Sequence, residues 1–240
     1  MKRYIIFLIL ISSLLIGCGI STPDNVIFLD NFDGELEEGW YWANEDPNRW
    51  EVIDEEGGWL IITVDNSSML HQSETIGQTN VLVRPAPEGD YILETKLNSE
   101  PKEDFQQAGI YMIEDGFDYV AILISFCQEC MPESGGHIIE MKAVRDNLPL
   151  LESPYIARHA PSGKDLYLRL VYSAQDNAIT GYYRYHPDEW TEAFWVDDAP
   201  PFDKVGLGAT NSPGPNGVQQ DLVAMFSYFE LSREEAPVKP

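Results

Sequence analysis

The chain of 240 residues carries 40 Asp and Glu against 15 Lys and Arg, a formal net charge of −25. So acidic a surface repels nucleic acid and anionic headgroups, whose binding depends on Lys and Arg displacing counterions. Nucleic-acid binding is excluded on this ground, and the length suits one large all-β domain or two small ones, able to bury about 70% of the unfolded surface.

The first element is residues 1–17, in which Lys2 and Arg3 precede an unbroken apolar or small run from Tyr4 to Gly17. A basic tip, a short apolar stretch and a small-residue exit describe an export signal. The run is shorter than the roughly 20 apolar residues that a membrane-spanning helix needs. Residues 18–25 read as a polar tether, 26–232 as one domain, and 233–240 as a frayed tail. Within the domain helical periodicity is almost absent. Short runs rich in Val, Ile, Tyr and Phe predict strands at 26–32, 59–64, 80–84, 91–98, 107–113, 119–126, 137–144, 166–172, 179–185, 205–209 and 223–231. Gly, Pro, Asp and Asn separate them, and many short strands of this kind make a β-sandwich or barrel.

Alternation assigns faces to several of these strands. Leu93, Thr95 and Leu97 oppose Ile92, Glu94 and Lys96; Ala108, Ile110 and Met112 oppose Gln107, Gly109 and Tyr111. Val120, Ile122 and Ile124 oppose Tyr119, Ala121 and Leu123, while Leu168 and Leu170 oppose Tyr167 and Arg169. One face is core. The other mixes charged, amide and phenolic groups and is read as a single polar sheet face.

Cys127 and Cys130 form a Cys-Gln-Glu-Cys sequence at the end of a β run. In an oxidising exterior this suggests a small-loop disulfide contributing about 2 kcal/mol before strain. A zinc site would need two further ligands, with His137 the nearby candidate, and a redox pair would be expected at the start of a helix. All three readings stay open.

Leu15-Ile16-Gly17-Cys18 resembles the lipobox of bacterial lipoproteins. That resemblance implies that Cys18 becomes a lipidated N-terminus, placing the domain outside the cytoplasm with the lipid as its membrane contact. A diacylglyceryl group and an N-acyl chain together exceed the two-chain requirement for stable anchoring.

The domain itself resembles the concanavalin A-like C-terminal domain of family 43 β-xylosidases. Phe28-Leu29-Asp30-Asn31-Phe32-Asp33-Gly34, then Gly39-Trp40, Trp50 and Leu60-Ile61-Ile62, match its opening. Val81 to Pro87 with Tyr91 to Leu97, Gln106-Gln107-Ala108-Gly109-Ile110, Tyr119, Leu168-Arg169-Leu170, Tyr183 to Trp190, Val205 to Asn211 and Ala224 to Leu231 continue the series in order. The resemblance implies a jelly-roll sandwich of two curved antiparallel sheets and a non-catalytic module lying beside a glycan. The 240 residues hold no family 43 catalytic propeller, so the module is expected to act alone. Phe226-Ser227-Tyr228-Phe229 stands where many relatives carry Phe-Asp-Tyr-Phe, which argues against an inherited metal site.

Sugar recognition needs flat aromatic faces for CH groups and planar polar groups for paired hydroxyls. The candidate ligand-binding residues are Glu94, Gln107, Tyr111, Tyr119 and Arg169, with Arg84 and Trp190 at the rim. An oligo- or polysaccharide is the expected partner. Tyr111, Tyr119 and Arg169 side by side in a groove would mark a glycan site. The same side chains locked in ion pairs or covered would mark a structural or protein-interaction domain of the cell envelope. Trp40, Trp42, Trp50 and Trp59 are read as packing aromatics, and Trp190 and Trp195 as the exposed ones.

A glycoside hydrolase would need two carboxylates about 5–5.5 Å or about 6.5–9.5 Å apart across the scissile bond. The related glucanases carry Glu-x-Asp-x-Glu along one strand, and the chain lacks that run. No cofactor is expected. Structural calcium at Asp30, Asp33 and Asp203 is weighed against their use as turn formers, and the turn reading is preferred.

Overall fold

The computed structural model describes residues 25–55, 57–65, 80–114, 118–129, 135–146, 148–149, 156–160, 165–185, 189–199, 201–212 and 220–233. The export segment, Cys18, Cys130 and the tail beyond Arg233 lie outside these residues.

Numbered in chain order, the first sheet contains β1 (Val26–Asp30), β3 (Trp50–Ile53), β4 (Trp59–Val64), β6 (Tyr91–Ser99), β12 (Leu166–Ser173), β13 (Ala178–Tyr185), β14 (Thr191–Val196) and β16 (Leu222–Ser232). The second contains β2 (Tyr41–Ala43), β5 (Val81–Pro85), β7 (Gln106–Ile113), β8 (Tyr119–Phe126), β9 (His137–Arg145), β10 (Leu148–Pro149), β11 (Ile156–His159) and β15 (Lys204–Asn211). The order is β14-β13-β12-β6-β16-β4-β3 in the first, with β1 also on β16, and β10-β9-β8-β7-β15-β5-β2 in the second, with β11 on β9. The pairings are antiparallel, as the all-β sandwich reading requires.

Every strand expected from the sequence forms. Five more do too: β2, β3, β10, β11 and β14. The first four have at most four residues, too few for alternation to register. In β14 the burial pattern does not alternate, and its pairing with β13 shifts register between Gly181 and Tyr182.

The core lies between the sheets. Leu60, Ile62, Leu93, Leu97 and Leu168 of the first meet Ile110, Met112, Ile122, Met141 and Leu207 of the second, all fully buried. Each such side chain contributes roughly 1.5–3 kcal/mol by leaving water. Two glycines set the spacing of the second sheet. A Cβ on Gly109 would lie 2.1 Å from the Ile122 carbonyl oxygen, and one on Gly206 would lie 2.1 Å from that of Leu82. The neighbouring backbones approach too closely for any side chain there.

β16 carries a bulge that decides which of its side chains face outward. Phe226 pairs with Leu97 but Tyr228 with Lys96, so Ser227 is an extra residue. Phe226 and Phe229 both enter the core although they are three apart, and Tyr228 turns to the outer face. Inside the core the Thr95 hydroxyl donates to the Tyr228 carbonyl at 2.5 Å, satisfying a backbone group at the irregularity.

Candidate functional site

The polar side chains read as one sheet face belong to two. Consecutive strands β6 and β7 lie in different sheets, so Glu94 and Arg169 sit on the outer surface of the first, and Gln107, Tyr111 and Tyr119 on that of the second. The sandwich core separates the groups. The single-face expectation is therefore corrected: alternation identifies a strand's outward residues but not the sheet that receives the strand.

On the first sheet the register builds two adjacent rows. One runs Glu230, Glu94, Arg169, Tyr182 across β16, β6, β12 and β13; the next runs Tyr228, Lys96, Tyr167, Arg184. Glu94 is the hub. Its Oε2 accepts from Arg169 Nε at 3.0 Å and Nη2 at 2.5 Å, and its Oε1 accepts the Tyr228 hydroxyl at 2.5 Å. Burial, reinforced by the neighbouring Glu94 charge, pushes the Tyr228 phenol far above its usual range, so it remains a donor. Lys96 pairs with Asp165 at 2.9 Å and lies 5.3 Å from the Trp59 ring.

Arg184 is held differently. Its guanidinium carbon stands 4.6 Å from the Tyr167 ring and 4.5 Å from the Trp190 ring, and Trp190 also lies 4.1 Å from that of Arg169. Its Nη2 is 3.7 Å from Glu94 Oε1, an ion pair too long for a hydrogen bond. Among the described residues its Nε–H has no hydrogen-bond partner. Trp190, placed by the β13–β14 connection, thus lies across two guanidinium groups on a face that is partly open to solvent.

On the second sheet Gln107 is the hub of a buried network. It donates to Glu140 and, at 3.3 Å, to Ser125 Oγ; its Oε1 accepts from Lys142 Nζ at 2.6 Å and Thr210 Oγ1 at 3.2 Å. Burial raises the pKa of Glu140 against the pull of Lys142, and burial lowers that of Lys142 against the pull of Glu140. Tyr111 and Tyr119 lie beside this network in an apolar cluster with Val81, Val83, Ile113 and Leu123, and both are fully buried. They do not form an open groove with Arg169.

Arg84 joins neither group. It lies at the edge of the sandwich, its guanidinium carbon 3.1 Å from the centre of the Phe28 ring and 5.4 Å from that of Trp40. Burial lowers its pKa to about 10, with Asp30 opposing. Asp30, weighed above as a calcium ligand, accepts from the Phe32 and Glu37 amides and the Trp40 indole at 2.7, 3.0 and 2.8 Å. Asp203 pairs with Lys204. Among the described residues no group of three or more His, Cys, Asp or Glu could hold a metal. Cys127 is disulfide-bonded, and Cys130 lies outside the described residues.

Trp40 packs on the core, and Trp42 meets Trp50 at 4.7 Å between ring centres with the planes tilted by 37°. Sequence reasoning missed Tyr228, Arg184, Glu140 and Lys142. Alternation in 179–185 and 137–144 could have supplied the last three, whereas Tyr228 depends on the bulge.

The profile of the β-xylosidase C-terminal concanavalin A-like domain family matches residues 29–232. Among solved structures, a family 43 glycoside hydrolase protein, BlXynB from Bacillus licheniformis, is similar at 22% identity and a TM-score of 0.68, covering 88% of this chain and 40% of its own. The xylan β-1,4-xylosidase of Bacillus halodurans is similar at 20% identity and 0.63, covering 85% and 39%. A β-1,3-glucanase from Mycobacterium marinum is similar at 11% identity and 0.56, covering 88% and 100%. These identities carry the fold alone. The chain spans about two-fifths of the length of the two Bacillus proteins. No curated protein matches it.

Proposed function

Since the chain belongs to the family of β-xylosidase C-terminal concanavalin A-like domains, we propose that it is a non-catalytic, glycan-associated module held outside the cytoplasm by a lipid on Cys18. The observation that carries the glycan reading is Trp190 lying across Arg169 and Arg184 on the outer face of the first sheet. A broad indole suits the CH face of a sugar ring, and guanidinium forks suit paired oxygens. The name of the Bacillus halodurans relative makes xylan the first glycan to try. Two features support a non-catalytic role. Both oxygens of Glu94 are engaged by Arg169 and Tyr228, and Glu140, on the opposite face, is held by Gln107 and Ser125. In both arrangements the carboxylate is held by hydrogen bonds within the fold rather than presented free to act as acid or nucleophile.

A second reading is a structural or protein-interaction domain of the cell envelope. The burial of Tyr111 and Tyr119 and the Arg169–Glu94 ion pair favour it. Titration of the full-length chain with xylan, arabinan, glucan and peptidoglycan fragments separates the two. Glycan binding that falls about tenfold or more in Trp190→Ala, as loss of a central aromatic anchor produces, supports the first. The absence of binding at millimolar ligand refutes it in favour of the second.

A further inference from the structure

Arg184 combines two features that are seldom found together. Its guanidinium carbon lies 4.6 Å from the centre of the Tyr167 ring and 4.5 Å from that of Trp190, and its side chain remains 33% exposed. Yet among the described residues none accepts a hydrogen bond from its guanidinium: Nε–H has no partner there, and Nη2 stands 3.7 Å from Glu94 Oε1. Glu94 is already occupied by Arg169 and Tyr228. In the two rows that form this face Lys96 is paired with Asp165 and Arg169 with Glu94, which leaves Arg184 as the cation without a close carboxylate partner among the described residues. Within a chain of net charge −25, this places a planar cation, loosely paired with Glu94 and with no hydrogen-bonded acceptor among the described residues, beside an aromatic platform.

The complement of a fixed guanidinium fork is a planar pair of oxygens sharing negative charge, which is a carboxylate. The flanking rings remove much of the ordering cost that a mobile arginine would incur on binding. Resting on the glycan reading above, we propose that Arg184 selects glycans bearing a carboxylate sugar, a uronic acid: its guanidinium receives the carboxylate while Trp190 covers the adjoining sugar ring.

The full-length chain is titrated by calorimetry with xylotetraose, with xylotetraose carrying one glucuronate, and with acetate. The acidic oligomer is expected to bind at least tenfold more tightly than the neutral one, and acetate alone to compete only weakly. In Arg184→Gln the ratio between the oligomers collapses towards one; in Arg184→Lys, which keeps charge but not the fork, it is intermediate. Thermal melts check that each variant is folded. A ratio near one in the unaltered chain, or one that persists in Arg184→Gln, overturns the uronate assignment and leaves neutral glycan binding standing. Acetate competing as well as the acidic oligomer overturns the sugar part, and failure of both oligomers to bind overturns the two readings together.

Discussion

Tyr228 reaches Glu94 diagonally across the β16–β6 pairing, its hydroxyl donating to Oε1 at 2.5 Å, although the residue directly opposite Glu94 on β16 is Glu230. The phenol thus shields Glu94 on the side from which a like charge approaches, while Arg169 holds it on the other.

Removing either partner should therefore destabilise the fold unequally. Tyr228→Phe deletes one hydrogen bond to a charged acceptor and should cost about 1.5 kcal/mol in urea unfolding. Glu94→Gln leaves Arg169 and Arg184 without their shared anion and should cost roughly 3 kcal/mol. Equal losses, or a Glu94→Gln loss below that of Tyr228→Phe, would show that Glu94 is not the hub.

Gly109→Ala should be among the most damaging small changes in the second sheet. The added Cβ would stand 2.1 Å from a backbone oxygen, which can recede only by separating β7 from β8. A loss of about 3 kcal/mol or more is expected, at or beyond the usual range for overpacking. Gly181→Ala, whose Cβ would meet side-chain atoms of Ile122 and Met141 at 3.3 Å, should cost nearer 1 kcal/mol because those side chains can yield. Thermal melts of the two variants compare them directly.

The Gln107 network should give stability a pH signature with two limbs. Glu140 has a raised pKa, so its contribution is fully present below the usual carboxylate value of 4.5 and is lost as pH rises through the folded value. Lys142 has a lowered pKa, so its contribution is present above 10.5 and is lost as pH falls through the folded value. Urea unfolding across this range should show Glu140→Gln flattening the acid-side decline and Lys142→Met flattening the alkaline-side rise. Profiles parallel to the unaltered chain would place the titrating groups elsewhere.

Cys18→Ser should move the protein from the membrane fraction to the soluble fraction of a bacterial host, with loss of the lipid mass from its N-terminal peptide. Retention in the membrane at the unaltered level would refute a lipid anchor, since an acidic face gives anionic headgroups little to hold.

Legibility in the sequence followed the physics of each element. Strands with unbroken alternation, such as Ile110 and Met112 against Tyr111, declared their core face because every second side chain must leave water. Sheet membership left no such trace: β6 and β7 are consecutive, yet one pairs with β12 and β16 and the other with β8 and β15. Glu94 and Arg169 were identified and meet; Tyr111 and Tyr119 were identified but lie buried on the far side. Arg184 alternates with Tyr183 and Tyr185, which marks it as outward, but alternation carries no sign of the rings it meets there. Trp190 lies outside any strand, and no periodic signal could have set its ring over two arginines.

The extra residue in β16 makes the outer face depend on chain length as well as on composition. β4 pairs with residues 222–226 and β1 with residues from Phe229 onward, so each half of β16 keeps its own register on either side of Ser227. Deleting Ser227 would leave Phe226, Tyr228, Phe229 and Glu230 consecutive opposite Leu97, Lys96, Thr95 and Glu94, so the strand would become regular with the same side chains inward and outward. No point substitution reproduces that change. Transplanting the aromatic–cation surface to another sandwich would accordingly require either the kink together with Ser227 or a regular strand without Ser227, whereas the full segment laid without the kink would turn Tyr228 inward and erase the surface while conserving all of its functional groups.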